Sequence, residues 1–426
     1  MSRKRVYLEN YGCPANRFDL EVMAASLQKS GHSIVEDLKS ADVLVINTCA
    51  VKKPTQDKII HRLCFLRNLG KLIVVTGCLT KVDSEAIEKA VPDYLALLDP
   101  SSANRIAYAV EGDIRGRQYF SDKPVIKVES CKPREGRVFE IVPISEGCLG
   151  SCAFCCTRVA RGRLFSYPVD KIVERVEWLV RKEVKEIWIT AQDIGAYGLD
   201  SGYDLTVLLE KMCGIEGEFF LRVGMMNPNH ALRMLDSLIK TYKNDKVFKF
   251  VHLPVQSGND RVLRLMNRAY TANDFKRIVN AFRKEIPDIT VSTDIICGFP
   301  GEDEEAFEDS IKLVKEAEPD VVNVSKFTPR PKTAATKMKQ LPSQIVKARS
   351  EKMAALSKEI SLKRNMRWLG WEGNILVDEE GTGSSMIGRN FAYKPVVVDA
   401  ERALLGERIN VKIREAATTY LKGSII

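Results

Sequence analysis

Cys148, Cys152 and Cys155 stand in the run EGCLGSCAFCCTRVARG at a spacing that suits three thiolates, each holding one iron of a four-iron cluster, with the fourth iron open to a ligand. A structural zinc site needs four closed positions, and no second close-spaced cysteine pair or histidine stands nearby in the sequence to complete one. The bland alternative is three small buried side chains, since free cysteine packs well as a hydrophobe. A second set is dispersed. Cys13, Cys49 and Cys78 end the segments RVYLENYGC, ADVLVINTC and KLIVVTGC, each an apolar run of the parallel-strand type followed by a helical pattern. In an open α/β sheet these positions fall just past the carboxyl ends of the strands, where such sheets place ligands, so three distant cysteines can meet at one point. They too are one ligand short of a full cubane, which implies a second cluster with an available iron; three hydrophobes packed at strand ends is the alternative. Cys64, Cys131, Cys156, Cys213 and Cys297 read as packing residues, with Cys156 conspicuous because it follows Cys155 directly.

The elements that must position these thiols are legible as well. From about Phe139 six strand-and-helix units succeed one another, with strands in FEIVPISEGC, EIWITAQD, FFLRVGMM, KFVHLPVQSG, ITVSTDIICGFPG and VVNVSKFTPRP. Six such units make an open (β/α)6 barrel more economical than a closed eight-unit one, and its chemistry belongs at the carboxyl ends of the strands, where the close-spaced trio falls. After Ala335 the chain becomes basic, polar and helical, and from about Gly370 short β-type runs return. The fold class is therefore α/β: an amino-terminal open parallel sheet, a central partial barrel and a small all-β module at the carboxyl end. The expected divisions are 1–125, 138–335, a basic helical connector at 336–366, and 367–426.

The 426 residues exceed one ordinary core, and the absence of a signal-type apolar stretch or a run near the ~20 residues of a spanning helix points to a cytoplasmic protein without a membrane partner. Eleven cysteines in such a chain read as metal or redox ligands, because a reducing compartment disfavours structural disulfides. The net charge of +9 is localised: from Arg330 to Arg367 eleven basic residues face two acidic ones, an excess equal to that of the whole chain.

Together these motifs resemble the methylthiotransferase branch of the radical S-adenosylmethionine enzymes, almost from end to end. ENYGCPANRFDLE, VINTCAV and VTGCL are similar to the three cysteine motifs of that branch's amino-terminal domain, EGCLGSCAFC to its radical motif, and the final β module to its TRAM domain, a small RNA-binding barrel. Members act on isopentenyl-adenosine in tRNA, on a ribosomal protein, or on threonylcarbamoyl-adenosine in tRNA. Arg158 in CTRVARG, with ITAQDIGAYG, LRVGMMNP and HLPVQSGNDRVLRLMNR, resembles the archaeal and eukaryotic group, which implies the last substrate, at position 37 of the anticodon loop.

The resemblance implies two [4Fe–4S] clusters and S-adenosylmethionine. Cys148, Cys152 and Cys155 would hold the cluster that cleaves S-adenosylmethionine reductively to a 5′-deoxyadenosyl radical. Cys13, Cys49 and Cys78 would hold the cluster that carries the sulfur to be methylated and inserted. Both sets count as catalytic and as metal ligands, and the reaction needs a sulfur donor and a reductant of the flavodoxin or ferredoxin type. By their place at strand ends, Gln192, Asp193, Arg222, Gln256 and the turn from Gly298 to Glu302 are the expected cofactor contacts, with Arg222 for the methionyl carboxylate, Gln192 for its amino group and Gly298 for close backbone approach to the adenine. Capping a strand or satisfying a buried carbonyl is the competing role for each. RNA contacts are expected from the basic segment and from Arg389, Phe391, Tyr393 and Lys394, which set aromatics beside positive charge. A non-catalytic iron-sulfur RNA-binding protein is the rival class; 5′-deoxyadenosine formed on reduction separates the two.

Overall fold

The computed structural model describes residues 3–112, 115–121, 123–131 and 136–426. Valine- and isoleucine-rich runs such as Val43–Thr48, buried along their whole length, form the centre of a parallel sheet covered on both faces. Six strands build it, in the order Ser33–Val35, Arg5–Asn10, Val43–Thr48, Leu72–Gly77, Ala96–Leu98, Arg117–Tyr119. The three strands that precede the dispersed cysteines are adjacent, and their ends lie in register, Asn10 beside Asn47 and Thr48 beside Gly77. Pro14 starts the next helix immediately after Cys13, a position where proline's missing N–H costs nothing. That helix, Pro14–Lys29, sinks Phe18, Val22, Met23 and Leu27 into a core shared by the sheet and by Ile141 of the following domain.

The central domain carries the six expected strands: Phe139–Pro143, Glu186–Thr190, Phe220–Val223, Phe250–His252, Thr290–Cys297 and Val321–Lys326. They form two parallel three-stranded sheets. Single parallel bridges, Leu221 to Val247 and Met225 to His252, join the two into one curved wall. Ile187, Leu221, Val251 and Val291 face the helices, so the alternate positions Trp188, Arg222, Phe250 and Ser292 face the lumen.

Helix Ser343–Met366 packs Met353 and Ile360 into the barrel's core. It leads into a closed five-stranded barrel made of Glu372–Glu380, Ser385–Arg389, Pro395–Asp399, Leu421–Ile425 and Arg408–Ala416. The run SMIGRNFAYKPVVV is two of these strands parted by a tight loop. Asn390 holds this loop by accepting from the N–H groups of Ala392 and Lys394 at 3.1 and 3.0 Å, and Tyr393 takes φ +60° there. Among the described residues no helix is long and apolar enough to cross a membrane.

Candidate functional site

The close-spaced thiols occupy the loop after the first strand of the central barrel. Its entry needs Gly147, at φ +73°, where a Cβ would lie 2.0 Å from the carbonyl oxygen of Arg163. Gly150 sits between two of the sulfurs: its N–H donates to Cys148 Sγ at 3.2 Å, and an added Cβ would lie 3.3 Å from Cys148 Sγ and 3.7 Å from Cys152 Sγ. Thr157 N donates to Cys155 Sγ at 3.4 Å with Thr157 Oγ1 3.1 Å away, and Arg268 Nη1 donates to Cys152 Sγ at 3.1 Å. Each sulfur therefore has an N–H donor aimed at it, the environment that a metal-bound thiolate needs and a neutral thiol does not. Burial pushes the metal-free Cys148 thiol up to about 11 and raises that of Cys155.

The three strand-end thiols also converge. Asn16, in the first turn of helix Pro14–Lys29, places its Oδ1 3.4 Å from Cys13 Sγ and 3.7 Å from Cys78 Sγ. The same oxygen accepts from Arg161 Nη2 at 3.2 Å. Burial pushes Cys78 up to about 12 and raises Cys49; Arg161 pulls both down, while the neighbouring Cys13 raises them. All eleven cysteines are free. Among the described residues no three His, Cys, Asp or Glu side chains converge tightly enough to share one metal ion. A cubane asks its three thiolates for three different irons, a wider arrangement that both triads could supply.

The cofactor contacts expected around the mouth divide. Gln192 Oε1 is buried without a hydrogen-bond partner among the described residues, an acceptor free for an ammonium group. Gln256, at φ +72°, is tied by its backbone to the fifth strand, giving its N–H to Asp294 O at 2.8 Å and accepting from Ile296 N at 3.0 Å. Asp193 lies at the mouth but is fully committed, accepting from Asn227 N at 3.0 Å and Asn227 Nδ2 at 2.6 Å beside His230.

Two expectations need correction. Arg222 points into the lumen within the strand, and its guanidinium is enclosed by Phe250, Trp188 and Tyr393 at 4.9, 5.7 and 5.8 Å, a cation–π cage that closes off a carboxylate. Gly298, at φ +81°, turns toward the connector helix: a Cβ would meet Val346 at 2.5 Å, and its N–H is taken by Glu302 Oε1 at 2.9 Å, so its missing side chain serves helix packing and not the adenine. The cation that does stand at the site is Arg268, which also donates to Asn227 Oδ1, to Tyr270 Oη at 2.7 Å and to Pro254 O at 3.1 Å. Deeper in the lumen His252 Nε2 meets Asp294 Oδ2 at 3.2 Å, and Asn323 Nδ2 donates to Asp294 Oδ1 at 2.9 Å. Burial would push the Asp294 carboxyl up, but these two partners and the nearby Lys52 hold it below its ordinary value. Strand alternation could have flagged His252 and Asp294 as inward-facing; Arg268, in a loop, gave no periodic signal.

The expected RNA surface is corrected more heavily. Tyr393 is wedged against Phe248 and Phe250, at 4.8 and 5.3 Å between ring centroids, and its hydroxyl donates to Glu186 at 2.9 Å. Lys394 bonds Asp320 and Asn365, both at 2.9 Å, and Arg389 pairs with Asp378 at 3.0 Å and Glu379 at 2.6 Å. Tyr393 and Lys394 dock the small barrel against the central one, Arg389 is held by acids of the small barrel itself, and all three are withdrawn from phosphates and bases. Phe391 stays 37% exposed beside Trp368 and Trp371. Four cations of the basic connector are likewise paired: Arg349 with Glu302 and Glu304, Lys352 with Glu308, Lys363 with Glu318 and Arg364 with Asp320.

The two thiol sites are joined by buried polar bonds. Asp19 and Glu146 share Lys127 and Arg161, and Arg330 Nε donates to Ala50 O at 2.8 Å, next to Cys49, while Cys156 Sγ lies 3.4 Å from the same oxygen.

Residues 142–314 match the model of the Radical SAM superfamily, residues 5–98 that of Uncharacterized protein family UPF0004, and residues 369–426 that of the TRAM domain. Among solved structures the chain is similar to the radical S-adenosylmethionine methyltransferase TsrM from Kitasatospora setae, with a TM-score of 0.58 at 15% identity over 78% of this chain and 75% of that one. It is also similar to the cobalamin-dependent S-adenosylmethionine radical enzyme OxsB, with 0.55 at 10% over 85% and 56%. At those identities the likeness concerns the fold alone. Fold and matched domains define a radical S-adenosylmethionine protein with a TRAM barrel. The relatives narrow this further. The chain is 45% identical to the "Probable threonylcarbamoyladenosine tRNA methylthiotransferase" of Pyrococcus horikoshii over 99% of both chains, and 34% identical to the "Threonylcarbamoyladenosine tRNA methylthiotransferase" of Homo sapiens over 99% of this chain and 74% of that one. It belongs to this family of radical S-adenosylmethionine transferases, and membership implies S-adenosylmethionine and [4Fe–4S] clusters as its cofactors.

Proposed function

We propose that the protein transfers a methylthio group to C2 of N6-threonylcarbamoyladenosine at position 37 of tRNA. The observation that carries the reading is the pair of free-thiol triads, one at the mouth of the barrel and one at the edge of the amino-terminal sheet, where Asn16, beside Cys13 and Cys78, is bonded by Arg161 from the short helix that follows Cys155. Cys148, Cys152 and Cys155 would hold the cluster that binds S-adenosylmethionine; Cys13, Cys49 and Cys78 would hold the auxiliary one. When bound, the former supplies the one-electron reduction that turns the sulfonium into a carbon radical able to take an adenine C2 hydrogen, which acid–base chemistry cannot remove.

The chain's own residues hold and orient. Gln192 Oε1 accepts from the methionyl ammonium, and Arg268 takes the part first expected of Arg222, with a guanidinium that reaches both Cys152 and the loop after the third strand. His252, Asp294 and Asn323 form a polar wall for the purine inside the lumen, and Lys52 faces that wall from the loop that follows Cys49. Residues 1–125, 138–335 and 367–426 are the working parts, with 336–366 as a brace that pairs Arg349 and Arg364 with acids of the central domain. RNA is held at the TRAM barrel by Phe391 with Trp371, since a splayed loop base needs an exposed aromatic face. The target base swings out of the anticodon loop to enter the barrel. A sulfur donor and a flavodoxin- or ferredoxin-like reductant complete the reaction.

The test is the reconstituted protein with S-adenosylmethionine, dithionite, sulfide and tRNA bearing threonylcarbamoyladenosine, followed by mass analysis of nucleosides. A gain of one methylthio group on that nucleoside is the expected result. 5′-Deoxyadenosine without any thiomethylated nucleoside would overturn the substrate.

A further inference from the structure

A methylthio group contains a sulfur atom that the radical domain has no means of making, so a sulfur compound must reach the auxiliary thiols in each cycle while cofactor and base fill the lumen. Reduced sulfur compounds of the hydrosulfide and persulfide type are anionic near neutral pH. A site for one needs cations, small polar donors and a path that avoids the lumen.

One cavity has these properties. It lies between the short helix Cys78–Val82, the turn Pro100–Arg105 and residues 161–165 of the central domain, with a volume of about 360 Å³. That is ample for hydrosulfide or a short polysulfide. Lys81, Arg161, Arg163, Ser101 and Ser121 line it. Lys81 stands one turn from Cys78, and Arg161 gives Nη2 to the same Asn16 oxygen that lies 3.4 Å from Cys13 Sγ and 3.7 Å from Cys78 Sγ. The cavity wall is thus one side chain away from two of the three auxiliary thiols. Arg161 is balanced within the Asp19, Glu146 and Lys127 cluster, and Lys81 pairs with Asp99 at 3.5 Å. Arg163 makes no ion pair among the described residues and stands with hydroxyls beside it, a cation open to an anion.

We propose that this cavity is the binding site for the anionic sulfur co-substrate, which it delivers to the auxiliary thiols from the side of Cys78. The proposal rests on the methylthiotransferase reading above, and the experiment separates the two. Wild-type, Arg163→Met, Arg163→Lys and Lys81→Met proteins, each checked for the wild-type iron content, are assayed with modified tRNA and varied sodium sulfide. The expected result is an apparent KM for sulfide raised at least fivefold by Arg163→Met and by Lys81→Met, and largely restored by Arg163→Lys. 5′-Deoxyadenosine formation and tRNA affinity should stay within twofold of wild type. An unchanged KM for sulfide in both methionine variants overturns the site, as does a fall in tRNA affinity of the same size, which would make the cavity a phosphate contact. Failure of the wild-type protein to thiomethylate any nucleoside at any sulfide concentration overturns the parent reading and the site with it.

Discussion

Replacing Arg268 with methionine removes a buried guanidinium that lies 3.1 Å from Cys152 Sγ, in a loop otherwise closed by Asn227, Pro254 and Tyr270. Reduction of a cluster held by Cys152 adds negative charge next to this cation, so the Arg268 bond strengthens on reduction and the arginine favours the reduced form. A hydrogen bond to a charged group is worth about 1.5–3 kcal/mol, and a tenfold change in a one-electron equilibrium, or 1.4 kcal/mol, is 59 mV; if most of the bond's energy is differential, Arg268→Met moves the midpoint negative by roughly 60–130 mV. The assay is a redox titration followed by electron paramagnetic resonance, in a background where Cys13, Cys49 and Cys78 are alanine so that one signal remains. Arg268→Lys, which keeps the charge and loses the fork, should lie between the two. Truncation also strips a donor from Asn227 Oδ1, while Pro254 O keeps the Tyr270 hydroxyl at 2.9 Å; a buried acceptor left unpaired costs about 1–3 kcal/mol, so a lower melting temperature is expected and does not discriminate. A midpoint within about 20 mV of the parent, or one shifted positive, would refute the electrostatic role.

Cys78→Ala should lower the iron content from about eight to about four per chain and abolish thiomethylation while leaving 5′-deoxyadenosine formation intact, whereas Cys152→Ala should remove both activities; full thiomethylation by Cys78→Ala would refute the division. Gly298→Ala forces a Cβ to within 2.5 Å of Val346 at φ +81°, so chemical denaturation should show a loss of about 1–3 kcal/mol, part of which Val346→Ala recovers in the double variant. Where the two barrels meet, burial raises Glu186 to about 8, with the charge of Asp378 adding to the rise, and raises Asp378 to about 6. Both carboxyls ionise at lower pH when unfolded, so the stability that their protonated forms contribute is present below pH ~4 and is lost as pH rises through about 6 and 8. Glu186→Gln should flatten the fall in melting temperature between pH 6 and 8, and an equally steep fall in the variant would count against the pair.

Much of the architecture could be read from the chain because its signals are periodic. The central-barrel strands are short apolar runs spaced by amphipathic helices, and each segment named from the sequence contains an observed strand. Cys13, Cys49 and Cys78 were placed together by one topological rule, that successive strands of a parallel sheet end at one edge. Side-chain partners were another matter. Arg222 and Gly298 were assigned from proximity to strand ends, but an arginine inside a barrel goes to the nearest aromatic faces, and a glycine at positive φ serves whichever element presses closest. Arg389, Tyr393 and Lys394 have the composition of an RNA surface, but Tyr393 and Lys394 bond the central domain and Arg389 pairs inside the small barrel, because composition does not say which face of a small barrel turns inward. The charge run from Arg330 to Arg367 misled for the same reason: its acidic partners Glu302, Glu318 and Asp320 flank the helix Glu304–Ala317 of the central barrel, distant in sequence.

The residues that sequence patterns could not flag are those that relate one thiol site to the other. Asn16 and Asp19 lie one turn apart on the helix after Cys13, and Arg161 reaches both from the short helix after Cys155. Arg330, after the last barrel strand, fixes the carbonyl beside Cys49 from a third direction. The Asp19–Arg161 pair is charged and buried, so removing one partner would leave a desolvated charge, a loss of about 3–5 kcal/mol. An apolar interface would let the two domains slide. The geometric need is strict, since a sulfur held at the auxiliary thiols must meet a carbon activated at the barrel thiols, and a displacement of about 1 Å can cost two orders of magnitude in rate. The buried ion pairs are thus better explained by register than by stability, and Arg161→Met should separate the two by uncoupling 5′-deoxyadenosine formation from thiomethylation in protein that still folds and retains both clusters.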